Sequence, residues 1–385
     1  MRVSTPPRPS APARRERSSN ALAVNQLRIL FVLRPDASAR HGGDVLQAAN
    51  TAAGLRQLGV DVGVVESKTP DARGYDMVHI FGMFEPEICA AQFDACRRAD
   101  VPIGLSPIWI SRREFFYRAP ACERVIQKAR RAIDAERRLK EFAALDAARF
   151  ADRRTRIRQD RAETLQAGLL RAASMLFPMS AFEAQEYSVR LHVRNVPFAV
   201  VPNAVDHALA QPWAQSRKGL LCAARIESMK NQAITALALR DMPEQLTFVG
   251  EAYDPGYLSA VRRFSGSATT ILDKVSPSEV YAMFAKAKVH VMPSWGEVAS
   301  IVNLEAAACG MQIVAGDRGS EMEYLGDAAE YADPADPDSI AKAVNAALKR
   351  APREQGDALD KRVRRLTWSR TAALTLQGYQ RALQR

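Results

Sequence analysis

The chain has 385 residues and a formal net charge of +11, with 47% hydrophobic and 25% charged residues. This length accommodates two or three domains, and the composition is that of a folded globular protein, so disorder of the whole chain is excluded. The basic charge favours anionic partners, among them nucleotide phosphates, acidic lipid surfaces and nucleic acid, without choosing among them.

Residues 1–26 are rich in proline and arginine and poor in apolar side chains, so we expect a disordered basic tail. The tail resembles neither a signal peptide nor a membrane span, and a transit peptide is the alternative. The five scattered cysteines favour a reduced, cytoplasmic location over a disulfide framework. No cysteine or histidine cluster indicates zinc, and no metal or other cofactor is expected.

Residues 27–200 are predicted to form a first domain in which strands and helices alternate, as in a parallel sheet. The predicted strands and helices are Leu27–Leu33, Asp44–Leu58, Val60–Val65, Met77–Phe81, Pro86–Arg98 and Ile103–Ile108. Gly42 and Gly43 lie where the backbone must approach a ligand beyond the first strand, or where a turn is merely flexible. His79 lies within a strand, which favours a core histidine over a catalytic one.

Residues 121–173 contain very few Gly or Pro residues and many opposite charges at helical spacing. About 50 residues of unbroken helix would span about 75 Å, so we expect a helical insertion with at least one break. An ion-paired, solvated hairpin competes here with a basic amphipathic surface that binds an anionic membrane. Nucleic-acid binding is disfavoured because the stretch lacks interleaved aromatic side chains.

Residues 201–365 are predicted to form a second domain, entered through the segment 201–206 and again alternating strands with helices. Arg225 and Lys230 follow the predicted strand Gly219–Ala223, at the strand end where open parallel sheets bind ligands. The arginine fork and the lysine charge suit a diphosphate, although both residues could be ordinary surface cations.

The sharpest chemical signal is the pair Glu297 and Glu305, which flanks the predicted start of a helix at Ser300. One continuous helix would separate the two carboxylates by about 12 Å, which is wider than a glycosidase pair of roughly 5 to 9.5 Å. A helix that begins near Ser300 places a phosphate-binding N-terminus between the two carboxylates. The alternative is a solvated loop residue and an ordinary helix surface position.

A resemblance to family 4 retaining glycosyltransferases, the glycosyl transferases group 1, is carried by several motifs in order. The donor-half motifs are PNAVD, ARIESMKNQ, VGEA and EVASIVNLEAAACGMQIVAGDRGSEMEYLGD, and the early HGGD resembles the acceptor-half glycine loop. The resemblance covers nearly the whole chain after the tail. It implies a GT-B fold, with two Rossmann-like parallel-sheet domains facing across a cleft, the insertion in the first, and residues 366–385 as a helix crossing back to it.

The resemblance also implies the roles of individual residues. Arg225 and Lys230 would bind the donor diphosphate and Glu297 the transferred sugar, which makes these three the candidate catalytic residues. Glu305 would bind the ribose hydroxyls, amides near Ser300 and Ile301 a phosphate, and Gly43 would approach the donor from the first domain. Gly250 of the VGEA motif is assigned to the same donor site. The family's histidine after the fourth strand is absent here, where the chain reads Leu105-Ser106-Pro107-Ile108.

The implied activity is metal-independent transfer of a sugar, with retention of configuration, from a nucleotide-diphosphate donor. The acceptor would be a glycan, a lipid-linked molecule or a small molecule, in the synthesis of cell-surface polysaccharide or glycoconjugate. Peripheral contact with the inner face of an anionic membrane is left open. The alternative is a non-catalytic GT-B-fold binding or scaffold protein at a membrane.

Overall fold

The computed structural model describes residues 26–40, 42–210, 213 and 216–384. Apart from Gln26, the predicted basic tail lies outside these ranges, and so does His41 of the HGGD motif.

The first domain is built on a five-stranded parallel sheet with the strand order β2-β1-β3-β4-β5. Strands β3 and β4 are buried along their whole length, which explains why they appear as continuous apolar runs in the sequence. The elements are β1 (Arg28–Leu33), α1 (Gly43–Gln57), β2 (Asp61–Glu66), β3 (Met77–Phe81), α2 (Pro86–Arg97), β4 (Ile103–Ser106), α3 (Arg113–Lys128), α4 (Ala132–Ala143), α5 (Arg153–Ala172), β5 (Met175–Leu176) and α6 (Ala181–Arg190).

The second domain contains a six-stranded parallel sheet with the strand order β11-β10-β9-β6-β7-β8. The elements are β6 (Leu220–Ala223), α7 (Gln232–Leu239), β7 (Leu246–Val249), α8 (Pro255–Arg263), β8 (Thr269–Leu272), α9 (Pro277–Lys286), β9 (Val289–Met292), α10 (Ile301–Ala308), β10 (Gln312–Gly316), α11 (Glu321–Leu325), β11 (Glu330–Ala332), α12 (Pro337–Lys349), α13 (Ala358–Val363) and α14 (Trp368–Leu383). The predicted GT-B architecture of two parallel-sheet α/β domains is confirmed.

Helix α14 packs on the first domain although it follows the second in sequence. A Cβ added at Gly54 of α1 would lie 2.7 Å from the Cβ of Ala372, so the two helices touch closely. Tyr379 of α14 is fully buried against the first sheet, where its hydroxyl lies 2.6 Å from Nδ1 of His79. Nε2 of His79 lies 2.9 Å from the Ser106 hydroxyl, so this histidine belongs to the core, where burial lowers its pKa to about 3.

The helical insertion starts earlier than the sequence indicated and contacts the second domain. Helix α3 begins at Arg113 and runs through Pro120, although a proline inside a helix removes one internal hydrogen bond, whereas the helical stretch was expected to begin at residue 121. Breaks follow α3 and α4, as the 75 Å estimate required. The structure also contains helix α8, for which the sequence analysis offered no assignment.

The apolar faces of α3 and α4 are covered by the second domain and are not solvated. Cys122, Ile126 and Leu139 belong to one hydrophobic cluster with residues of β6, β7 and α7. Polar contacts frame this cluster, since Ser228 donates to Glu123, Arg240 pairs with Glu136, and Lys140 pairs with Asp338. The predicted charge pairs therefore join two domains. None of the described helices has the length and apolar composition to cross a membrane.

Candidate active site

The carboxyl ends of the two sheets face each other across a cleft of about 1740 Å³. All of the predicted site residues except Gly250 line this cleft, and the structure brings together residues from both domains. The lining predicted residues are Gly43, Arg225, Lys230, Glu297, Ser300, Ile301 and Glu305.

Arg225 and Lys230 form a cationic corner beyond the carboxyl end of β6. The turn that carries them is held by Asn231, which adopts φ 64° and donates from its buried amide to the carbonyls of Pro293 and Pro334. Each cation is paired with a carboxylate, Arg225 with Glu227 at 3.0 Å and Lys230 with Glu297 at 2.5 Å. Such a corner can exchange carboxylate partners for the oxygens of a diphosphate.

Glu297 is positioned by backbone contacts with the loop after β10. Its N–H donates to the Arg318 carbonyl at 3.3 Å, and its carbonyl accepts from the Ser320 N–H at 3.0 Å. Gly319 lies between these partners with φ +109°, and a Cβ there would come within 2.0 Å of the Glu297 carbonyl oxygen. Only glycine allows this close approach.

Replacing Gly319 by alanine should therefore displace Glu297. We expect Gly319→Ala to lower the free energy of unfolding by roughly 3 kcal/mol or more, because backbone strain adds to a steric clash. Turnover of a donor should fall as well. Gly356→Ala is the matched control, since φ is +84° but nothing lies within 4 Å of the added Cβ. Urea unfolding and donor hydrolysis measure both effects, and equal losses in the two variants would contradict this role of Gly319.

The start of α10 differs from its predicted role in one respect. The Ser300 N–H, expected to bind a phosphate, donates instead to the buried Glu321 carboxylate at 2.8 Å. Ser300 also caps the helix, because its hydroxyl accepts from the Asn303 N–H. Ile301 opens the helix and lines the cleft, so its N–H has no acceptor within the helix and is available to an anion.

A buried polar chain supports this helix start from behind. The Asn303 amide donates to Glu321 at 2.7 Å, and Nδ1 of His290 lies 2.9 Å from Asn303 Oδ1. His290 Nε2 accepts from the Ala223 N–H, which assigns the Nδ1–H tautomer to a neutral ring. Burial lowers the pKa of His290 to about 4 and raises the pKa of Glu321 to about 7. The chain links the ends of β6 and β9 to α10, and the sequence analysis did not identify it.

Glu305 lies in the second turn of α10, partly buried at the edge of the cleft. Burial raises the pKa of Glu305 to about 7, the Tyr281 hydroxyl acts against this rise, and the charge of Asp206 adds to it. Glu297 and Glu305 thus flank the helix start, as the helix-boundary argument predicted, and neither is a solvated surface residue.

The two predicted glycines have different positions. Gly43 is the first residue of α1, and a Cβ there would lie 3.9 Å from the side chain of Ile301. The first domain therefore approaches the start of α10 at this point. Gly250 has φ +150° and packs against the backbone, where a Cβ would come within 2.0 Å of the Ala224 carbonyl oxygen. Gly250 therefore shapes the strand end beside Arg225 and does not line the cleft.

The segment after β4, where the family's histidine is absent, is held by a buried glutamate. Glu183 accepts from the backbone N–H groups of Trp109 at 2.8 Å and Met179 at 2.7 Å. Burial raises the pKa of Glu183 to about 8. Beside it, Ile108 lines the cleft with φ 49°, which is strained for a β-branched residue. Buried hydrogen bonds therefore fix the backbone of this wall of the cleft. Ile108 presents an apolar side chain in the segment where the family has its histidine.

Arg112 is a cleft residue that the sequence analysis missed. Its guanidinium carbon lies 4.7 Å from the centroid of the Phe84 ring. Desolvation lowers the pKa of Arg112, while the charges of Glu227 and Glu297 raise it, so this side chain lies within electrostatic reach of the cationic corner. The signal was its position just beyond the carboxyl end of β4, the same rule that identified Arg225.

The second domain matches a family of known proteins. Residues 209–365 match the family model described as glycosyl transferases group 1. This second domain is a group 1 glycosyltransferase domain. D-inositol 3-phosphate glycosyltransferase of Pseudarthrobacter chlorophenolicus is 33% identical over a region that covers 43% of this chain and 43% of that protein. The match thus spans less than half the length of this curated relative. The matched domain contains Arg225, Lys230, Glu297 and Glu305.

Solved glycosyltransferase structures share the whole two-domain fold. Sucrose-phosphate synthase of Thermosynechococcus elongatus has a TM-score of 0.70 at 16% identity, and the superposition covers 92% of this chain and 98% of that one. Anabaena HepE in complex with UDP and glucose has a TM-score of 0.59 at 16% identity, covering 92% and 95%. At these identities the likeness shows the GT-B fold alone.

Proposed function

We propose that the protein is a retaining glycosyltransferase that takes a sugar from a nucleotide-diphosphate donor. The observation that carries the proposal is the arrangement of Arg225, Lys230, Glu297 and the start of α10 around one corner of an interdomain cleft. Cations, a helix N-terminus and a flanking carboxylate are the groups that a sugar diphosphate requires.

In this proposal the diphosphate displaces the carboxylates from the cationic corner. Arg225 and Lys230 then stabilise the charge that develops on the leaving phosphate, which is the largest single contribution to catalysis in many enzymes. Glu297, freed from Lys230, accepts hydroxyls of the sugar, and Glu305 accepts hydroxyls of the ribose. Attack from the face that the diphosphate leaves would retain the configuration of the sugar.

We favour a uridine diphosphate donor, because HepE has been solved with UDP-glucose and the E. coli trehalose-6-phosphate protein with UDP-2-fluoro glucose. The acceptor is proposed to belong to glycan or glycoconjugate synthesis, as for the lipopolysaccharide outer core galactosyltransferase WaaB. A reducing, cytoplasmic setting is supported by the five cysteines, all of them buried and none of them joined in a disulfide in the described part of the chain. The charge on the leaving group is balanced by side chains in this proposal, so no metal is required.

A thermal-shift screen against UDP-, GDP- and ADP-sugars tests the proposal. A ligand that binds only the folded chain raises its melting temperature, and we expect the largest rise with one class of sugar nucleotide. At a ligand concentration 100 times the Kd the stabilisation is about 2.7 kcal/mol. The Lys230→Ala variant should lose most of this rise. No response to any sugar nucleotide would leave the alternative of a GT-B-fold scaffold protein.

A further inference from the structure

The wall of the cleft opposite the cationic corner contains three arginines without acidic partners. Arg112, Arg158 and Arg161 line the cleft, and none of them forms an ion pair with a described residue. By contrast, Arg34 pairs with Asp36 and Asp44 on the same wall. Arg112 is half-buried and Arg158 and Arg161 are exposed, so guanidinium groups without an ion pair in this concave site are available to an anion from outside the chain.

Helix geometry and aromatic contacts place the three arginines at the junction of α3 and α5. The guanidinium carbon of Arg158 lies 5.4 Å from the centroid of the Phe116 ring. Phe116 follows Arg112 by one helical turn, so Arg112 and Phe116 share one side of α3. Arg161 lies one turn beyond Arg158 on α5, again on the same side. The three residues thus line the cleft from the start of α3 and from the first half of α5.

The carboxylates nearest in sequence to this cluster are already engaged. Arg113 pairs with Asp160 at 2.7 Å and with Glu163 at 2.6 Å, which joins α3 to α5. Arg113 also occupies both oxygens of Glu163. These acids fix the two helices, and neither pairs with Arg158 or Arg161.

Gln159 supplies a second, independent indication of a ligand. This residue lines the cleft and is only 7% exposed. No described residue makes a hydrogen bond with its side-chain amide, which can therefore donate to and accept from a bound molecule. A largely buried glutamine whose amide makes no hydrogen bond to a described residue, beside three arginines without ion pairs, is the composition of a polar binding subsite.

We propose that Arg112, Arg158, Arg161 and Gln159 form an acceptor subsite that binds a phosphate group of the acceptor. Its place in transfer rests on the proposed function, because the subsite faces the cationic corner that would hold the donor. Arginine forks match phosphate oxygens bidentately, which selects phosphate over a neutral sugar. The phosphate can be carried by a free sugar phosphate or by a lipid headgroup such as that of phosphatidic acid, and both present a terminal phosphomonoester.

Calorimetric titration of the full chain with glucose 6-phosphate tests the subsite. In the first series, saturating UDP occupies the cationic corner. In the second series, the Lys230→Ala variant is used so that glucose 6-phosphate does not bind at the cationic corner. We expect glucose 6-phosphate, but not glucose, to bind in both series. The double variant R158Q/R161Q should weaken this binding at least about tenfold, because each charged hydrogen bond contributes about a factor of ten or more. The control R153Q/R154Q removes two exposed charges of the same helix outside the cleft and should leave affinity unchanged.

Vesicles distinguish the two sources of phosphate. Phosphatidylcholine vesicles doped with phosphatidic acid are compared with pure phosphatidylcholine, using the same two double variants. Binding that depends on Arg158 and Arg161, without binding of glucose 6-phosphate, assigns the phosphate to a lipid. Equal losses in R158Q/R161Q and R153Q/R154Q, or no binding of either probe to the unaltered chain, would overturn the subsite. A failed sugar-nucleotide screen would instead overturn the proposed transfer, because phosphate binding is measured without it.

Discussion

Replacing Lys230 by alanine should lower donor turnover by about 10²–10³-fold, which is the usual cost of removing one group that stabilises the leaving charge. Lys230 makes a 2.5 Å contact with Glu297 and contributes the one lysine charge among the residues that line the cleft. The variant would also leave Glu297 without its partner. Hydrolysis of a sugar nucleotide in the absence of acceptor measures the loss, and equilibrium binding of the same donor measures the accompanying fall in affinity.

Two further variants make the Lys230 result specific. Lys230→Arg keeps the positive charge and should retain part of the turnover, whereas Lys342→Ala removes an exposed lysine of α12 and should change nothing. Each variant is expected to fold, because Lys230 belongs to a turn whose shape is fixed by Asn231. Donor turnover that survives Lys230→Ala at the unaltered rate would exclude the proposed role of the cationic corner.

Each domain packs against helices that belong, by sequence, to the other domain. Helix α14 leaves the second domain and packs on the first, while α3 and α4 leave the first and pack on the second. Glu323 adds a third connection, since it accepts from the N–H groups of Ala181 and Phe182 at the start of α6. The cleft therefore lies between domains that are joined by several separate contacts, and both domains contribute arginines to its lining.

Local patterns were sufficient to predict the donor side of the site. The apolar run before Pro293 and the helix signal after Ser300 placed Glu297 on a loop and Glu305 in the second turn, where the structure has them. These elements are short and contiguous, so composition and capping determine them. The residues that contact one another across this corner all follow strand ends, which the parallel-sheet rule also identifies.

Contacts between distant segments could not be predicted in this way. The Ser300 N–H is taken by Glu321, whose carboxylate comes from the following strand–helix connection. The amphipathic pattern of α3 shows that Ile126 needs a partner, but it does not reveal that the partner is another domain. A sequence pattern gives the hydrophobic periodicity of a helix or strand, but it does not identify the elements that pack against it.

Donor affinity should rise between pH 6 and pH 8, because the pKa of Glu305 is raised to about 7 by burial. The ionised carboxylate accepts hydroxyl donors, so ionisation across this range should increase affinity for UDP-glucose by about tenfold. The stability of the unliganded chain changes in the opposite direction. A carboxyl group with a raised pKa in the folded state stabilises the fold fully below its unfolded value of 4.5, and this contribution is lost as the pH rises through about 7.

The Glu305→Gln variant tests whether Glu305, and not another glutamate with a raised pKa, causes the pH dependence of donor affinity. Glu183 and Glu321 contribute to the same fall in stability, but neither lines the cleft. We therefore expect Glu305→Gln to abolish the pH dependence of affinity and to bind UDP-glucose about 10- to 100-fold more weakly at pH 8, since charged hydrogen bonds are lost. UDP-glucose is the suitable probe, because its diphosphate has no ionisation in this range. An affinity profile with the same slope in Glu305→Gln would assign the titration to another group and remove Glu305 from the ribose site.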